Sequence, residues 1–142
     1  MKPFFSRVLL TLALLSGPVA ATTPMDEAAS AIAAGSIDQA RDVLNNVLQS
    51  EPDNVEALLK LGGVELGAGN YPAAIDLLKK AAALDANTPR PFIGLALAYV
   101  HTGRGALAHG AIEEAVKRDP GKAATLKPLL ERLEARSAPS PH

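Results

Sequence analysis

Gly35, Gly69 and Gly103 stand 34 residues apart, and they do not stand alone. Ala40, Ala74 and Ala108 share that spacing, as do Leu44, Leu78 and Ile112, and Val47, Ala81 and Ala115. Pro52 and Pro120 lie two periods apart with Ala86 midway. Five columns keep one register across three units. A repeat of this length is a single supersecondary unit that cannot bury its apolar face alone, so its copies must stack on one another.

Hydrophobic spacing within the units indicates helices. In Val55 to Leu66, apolar residues at 55, 58, 59, 61 and 66 leave Glu56, Lys60 and Glu65 as the polar positions, a helical and not a strand pattern. Tyr71 to Leu84 sets Ile75, Leu78, Ala81 and Ala82 against Asp76, Lys79 and Lys80. Asn54, Asn70 and Thr88 sit where N-caps belong, with Pro89 at a first helical position, and Ser36 with Gln39 has the form of a capping box. Gly35, Gly69 and Gly103 fall between paired helices, where a tight turn needs a positive φ. Gly62 and Ala96, with Ala74 and Ala108, are small enough for antiparallel helices to approach closely, whereas Gly63 leaves an open spot on the inner face.

The second unit reads Leu58-x-x-Leu61-Gly62-x-x-Glu65, then Ala74-x-x-x-Leu78. The third reads Phe92-x-x-Leu95-Ala96-x-x-Tyr99, then Ala108-x-x-x-Ile112, closing at Pro120. In these residues the chain resembles the tetratricopeptide repeat family, whose unit is a 34-residue helix–turn–helix. The resemblance covers residues 22–120 and implies an all-α solenoid with units at 22–54, 55–88 and 89–122. The first unit departs most, with Pro24 and Glu27 where the family has large apolar residues, so a weak, end-like helix is expected from Met25 to Ala34. Gly105 and Gly110 soften the second helix of the third unit. Leu126, Leu129, Leu130 and Leu133 form one stripe on a capping helix over 123–136, with Pro128 in its first turn or kinking it. Residues 137–142 are expected to be disordered.

The chain begins with an address. Lys2 and Arg7 precede the apolar run Val8 to Leu15, Ser16-Gly17-Pro18 breaks it, and Val19-Ala20-Ala21 supplies small residues, the order of a secretory signal peptide over 1–21 cut after Ala21 or Ala20. The run is far shorter than the ~20 residues of a membrane span, so no stable membrane insertion is expected after cleavage; retention as an uncleaved anchor is the alternative. The full chain carries 14 basic and 15 acidic residues; removing Lys2 and Arg7 leaves 12 and 15, a net charge of −3. Few aromatics (4%) and this balance argue against a nucleic-acid surface. The absence of cysteine excludes disulfides and thiol chemistry, and export without cysteine suits a bacterial periplasm.

Little points to catalysis. His101 and His109 are eight apart with no carboxylate at a metal-ligand spacing, whereas zinc requires three or four convergent ligands. Ser30 and Ser36 lack a nearby histidine, and Gly67-x-Gly69 reads as a helix–helix turn. Glu113-Glu114 and Lys79-Lys80 read as solvated faces. No enzyme, metal or cofactor is expected.

In the family it resembles, the first helix of each pair lines a concave groove. Carried onto this sequence, the groove holds Glu56, Leu59, Lys60, Gly63 and Leu66, then Arg90, Ile93, Leu97, Val100 and His101, with Met25, Ala29 and Ile32 from the first unit. Some members grip a terminal carboxylate with lysine and asparagine; the matching places here hold Met25, Leu59, Ala29 and Gly63, so that clamp is absent. Arg90 and Lys60 are placed to steer an acidic segment, and His101 to confer sensitivity to mildly acidic pH. The resemblance implies an adaptor that binds a protein, peptide or partner helix, in envelope assembly, secretion, pilus or cytochrome-maturation machinery. The alternative is a structural protein that buries its apolar inner face or an exposed end in a homo-oligomer.

Overall fold

The computed structural model describes residues 21–137. The expected leader lies outside them but for Ala21, as does the expected tail from residue 138; Ser137 is instead the last residue of a helix. Seven α-helices are described: α1 (Pro24–Ala33), α2 (Ile37–Ser50), α3 (Val55–Gly67), α4 (Tyr71–Leu84), α5 (Arg90–His101), α6 (Gly105–Arg118) and, after a 3-10 turn at Pro120–Lys122, α7 (Ala123–Ser137). The described residues contain no strand. Each helix packs on the next, and α3 also lies against α5, so first helices form one row and second helices the other. The fold is an all-α helical repeat solenoid. No described helix is long and apolar enough to cross a membrane.

The same turn is built three times. Gly35, Gly69 and Gly103 have φ of 72°, 77° and 72°, the left-handed region that a side chain resists. Each glycine N–H donates back into the preceding helix, to the Ile32, Leu66 and Val100 carbonyls. The next N–H donates one residue deeper, Ser36 to Ala31, Asn70 to Glu65 and Arg104 to Tyr99, at 2.8–2.9 Å. These paired bonds satisfy carbonyls that a helix end otherwise leaves free.

Capping differs in detail from the sequence expectation. Asn54 caps α3 as expected, its Oδ1 accepting from the Ala57 N–H at 2.9 Å. Ser36 and Asn70 occupy cap positions without a side-chain cap bond, and the Asn70 side-chain amide donates to Glu65 instead. The capping box forms at Thr23 and Asp26 instead, where Thr23 N–H donates to the Asp26 carboxylate at 2.9 Å and Asp26 N–H to Thr23 Oγ1 at 3.2 Å. Pro89 is the cap residue of α5, although its φ of −74° and ψ of −19° are already helical. Pro128 lies in the second turn of α7, inside the helix.

Small residues set the helix spacing. Leu78 is 2% exposed and sits between Gly62 of α3 and Gly94 of α5. A Cβ at Gly62 would stand 2.9 Å from Leu78, and one at Gly94 would stand 2.8 Å from it, so the side chain is held from both sides and has no room to yield. At Gly63 a Cβ would meet nothing within 4 Å. Gly62→Val is therefore expected to destabilise the fold by about 1–3 kcal/mol through overpacking. Gly63→Ala is expected to stabilise it by up to about 1 kcal/mol through helix propensity. Urea midpoints of the two variants check this pair of opposite signs.

Candidate protein-interaction face

The first helices carry the candidate face because their second-helix partners bury the other side of each pair. Along α3 the core takes Ala57, Leu58, Leu61 and Val64, which leaves Glu56, Lys60 and Gly63 toward the outside of the row. Along α5 it takes Leu95, Ala96, Ala98 and Tyr99, which leaves Arg90 and Leu97 exposed and Ile93 half-buried. Leu97 is 42% exposed and Ile32 of α1 is 37% exposed, alongside Leu84 and Leu107 on the second helices. Ala29, Gly63 and Leu97 form one 34-residue column, exposed in all three units. Ile32, Leu66 and Val100 form the neighbouring column.

Several expected groove residues have other duties. Leu59 is 8% exposed and belongs to the central core cluster, so it is not free to touch a partner. Val100 faces α7, lining small clefts with Leu129, Leu133 and Arg136. His101 is exposed at the end of α5, but its ring stacks on Tyr71 at the start of α4, with centroids 4.9 Å apart and planes 7° from parallel. Met25 is half-buried and Ala29 exposed.

Glu56, Lys60 and Arg90 are brought together. Glu56 and Arg90 are the same repeat position in successive units, and they form a two-pronged contact: Nη1 to Oε2 at 2.8 Å and Nη2 to Oε1 at 3.4 Å. Lys60 Nζ lies 3.4 Å from Glu56 Oε1, one turn along α3. Arg90 first, with help from Lys60, holds the Glu56 carboxyl below the usual carboxylate range. The two cations expected to steer an acidic segment are thus both engaged by Glu56. The carboxylate of Glu56 offsets one of the two charges, and the cluster presents a net single positive charge.

The residues that sequence reasoning placed wrongly lie one layer deeper. Glu65, counted with the polar positions of α3, is 4% exposed. Its carboxylate accepts from Arg41 Nε at 2.6 Å and Nη2 at 3.4 Å, and from Asn70 Nδ2 at 3.0 Å. Asp38 engages the far side of the same guanidinium at 2.7 Å. The Arg41 bond is the main reason the Glu65 carboxyl lies below its ordinary range despite burial. The columns explain the pairing: Glu65 stands one period before Tyr99, and Arg41 one period before Ile75. Where the second interface between units places an aliphatic residue and an aromatic in the core, the first places an ion pair. That equivalence was readable as a 24-residue offset repeated twice, but only once the helix pairs were known to face each other there.

Among the described residues, no group of three or more His, Cys, Asp or Glu side chains is arranged to hold a metal ion. His109 lies 3.7 Å from Glu113 on its own helix.

Comparison with known proteins agrees with this geometry. The tetratricopeptide repeat model matches residues 31–90 and 65–133. The fold is similar to two crystal structures of MamA, each with a TM-score of 0.73. One is 27% identical, with 80% of this chain covering 61% of that chain; the other is 28% identical, with 79% covering 65%. The chain therefore spans less than two thirds of either. A search of curated proteins gives no match.

Removing Arg41 leaves a buried carboxylate without its main partner. Arg41→Met is expected to lower the urea midpoint, by less than breaking a fully buried pair would because 31% of the Arg41 side chain stays in water. Arg41→Ile with Glu65→Tyr installs the pair found one repeat later and is expected to recover most of that loss in urea unfolding. Since the folded-state pKa of Glu65 is lowered, its contribution is present above the unfolded value near 4.5 and is lost as pH falls through the folded one. Glu65→Gln should flatten that acid limb.

Proposed function

Because the chain belongs to the tetratricopeptide repeat family, whose repeats mediate protein–protein contacts, we propose that it is a non-catalytic adaptor that binds a peptide or partner helix on the first-helix face. The observation that carries this reading is the uncovered apolar column of Ala29, Gly63 and Leu97, bordered by Ile32 and Leu66. An aliphatic side chain left 42% exposed beside a glycine with open space above it makes a knob and a hollow on one surface. Such a surface suits the apolar anchors of an extended peptide or amphipathic helix. The twelve residues of α5 span roughly 18 Å, enough for about five residues of extended chain. Glu56, Lys60 and Arg90 at one edge supply polar contacts that fix the register of the ligand.

The proposed setting is the bacterial periplasm, supported by the signal-like residues 1–21, in machinery for envelope assembly, secretion, pilus formation or cytochrome maturation. Fractionation with N-terminal sequencing of the exported form is expected to find a chain starting at Thr22 or Ala21. A chain that retains Met1 overturns the cleaved-leader reading.

The binding test uses crosslinking from the native periplasmic fraction. Leu97→Asp is the informative variant, since Leu97 is exposed and its change leaves the core intact; at the buried Leu59 the same change reports on folding. Leu97→Asp is expected to weaken partner capture by about tenfold or more while the helical signal is retained. Arg90→Glu, which sets two carboxylates against each other at Glu56, should weaken it less. Capture of the chain by itself alone would favour the homo-oligomer instead.

A further inference from the structure

The last helix pair is open on one side, and we propose that this opening receives an acidic amphipathic helix from a partner protein, at a surface separate from the first-helix face. α7 continues the 34-residue register. Leu126, Leu129 and Leu133 stand one period after Phe92, Leu95 and Tyr99, so α7 takes the place of a first helix. In the earlier units a second helix then packs on the first, as α4 does on α3 with Leu78 against Gly62. Among the described residues no helix follows α7. Between α6 and α7 there is instead an apolar cleft of about 570 Å3, lined by Ile112, Val116, Ala123, Ala124 and Leu130.

Register identifies what kind of object fits. Ile112, Val116 and Leu130 are the one-period equivalents of Leu78, Ala82 and Ala96 in the α4–α5 pair. There Ala96 is fully buried in the core that α6 shares, whereas Leu130 is only half-buried. The cleft thus continues an interface that the molecule already builds from helices. Leu130 stands where the first helices carry Ala28, Gly62 and Ala96, so the large and small sides of the contact are exchanged. An incoming helix must present alanine or glycine opposite Leu130, where the chain's own second helices present Leu44, Leu78 and Ile112. Charge gives the rest. Lys117 and Lys127 border the cleft against one acid, Glu113, which already lies 3.7 Å from His109. Lys127 also pairs with Glu131 at 3.7 Å, an exposed contact on one helix that contributes little and that a ligand carboxylate can replace. Acidic residues flanking the apolar stripe of the partner helix complement the two lysines.

The probe is a labelled, helix-constrained peptide with the sequence of α4, Tyr71–Leu84, carrying Leu78→Ala, Lys79→Glu and Lys80→Glu, titrated into the protein by fluorescence anisotropy. Saturable binding is expected, weakened about tenfold or more by Val116→Asp. Lys117→Glu with Lys127→Glu lies on the surface and cannot act through the core; it should weaken binding several-fold, with the effect shrinking at high salt. Leu97→Asp should leave binding unchanged. The proposal is overturned by the absence of saturable binding, by indifference to the double charge reversal, or by loss of binding in Leu97→Asp. Sedimentation showing a dimer that Val116→Asp dissolves places a second copy in the cleft and overturns it as well.

Discussion

Everything in the stack depends on how closely the two rows of helices can approach, and that distance is set where Leu78 is gripped between Gly62 and Gly94. The contact is unusual in needing a glycine on both sides. The neighbouring large residues of its column, Leu44 and Ile112, are fully buried in units whose facing first helices carry Ala28 and Ala96. Two glycines inside helices cost about 2 kcal/mol against alanine by propensity. Close packing around a fully enclosed leucine offsets that, since a buried leucine contributes about 1.5–3 kcal/mol over an exposed one. Leu78 thus holds α3 and α5 at a spacing that admits no Cβ at Gly62 or Gly94.

The ion pair of Arg41 and Glu65 shows how one scaffold position can be solved by different chemistry. In the second interface between units, Ile75 and Tyr99 join one continuous apolar cluster. In the first, the same two positions are charged, and the core divides there into two clusters that share only Leu48 and Leu77 at their borders. A buried pair adds little net stability over an apolar one of similar volume, but it penalises any displacement that separates its members. Asn70 and Asp38 complete the arrangement by satisfying a further oxygen and the remaining guanidinium edge. The joint between the first and second units is thus oriented by directional bonds, where the next joint is oriented by shape.

Much of this architecture was legible in the chain, because a 34-residue period leaves few ways to fold. The columns of glycine, alanine and leucine specified the turns, the close contacts and the helix ends to within about a residue. What they did not convey was the facing of individual side chains. Glu65 looked polar because glutamate is usually solvated; its burial depends on Arg41, 24 residues away on another helix. Leu59 looked like groove because its repeat position lies on the first-helix row, yet it is buried in the core cluster that α3 shares with α4 and α5. Arg90 and Lys60 were placed to steer an acidic segment, but spacing alone did not show that Glu56, one repeat before Arg90 and one turn before Lys60, engages both. Helical periodicity places a residue to within one position around the axis, and one position is the difference between core and surface.

The two ends of the stack differ, and the difference has a physical consequence. At the N-terminal end, the columns that hold Leu58 and Leu61 in the second unit hold Pro24 and Glu27, and the capping box of Thr23 and Asp26 satisfies the exposed start of α1. The cleft there mixes Glu27, Asn46, Ser50 and Glu51 with Pro24, Val43 and Val47. At the other end α7 brings four leucines onto the last repeat but covers it incompletely. Its small-residue column is filled by Leu130 and its register is interrupted by Pro128, where the earlier units have Lys60 and Gly94. The cleft proposed to receive a helix therefore lies at the α7 end of the described stack. The first-helix row and this terminal cleft share no lining residue, so a substitution on one proposed surface leaves the other unaltered.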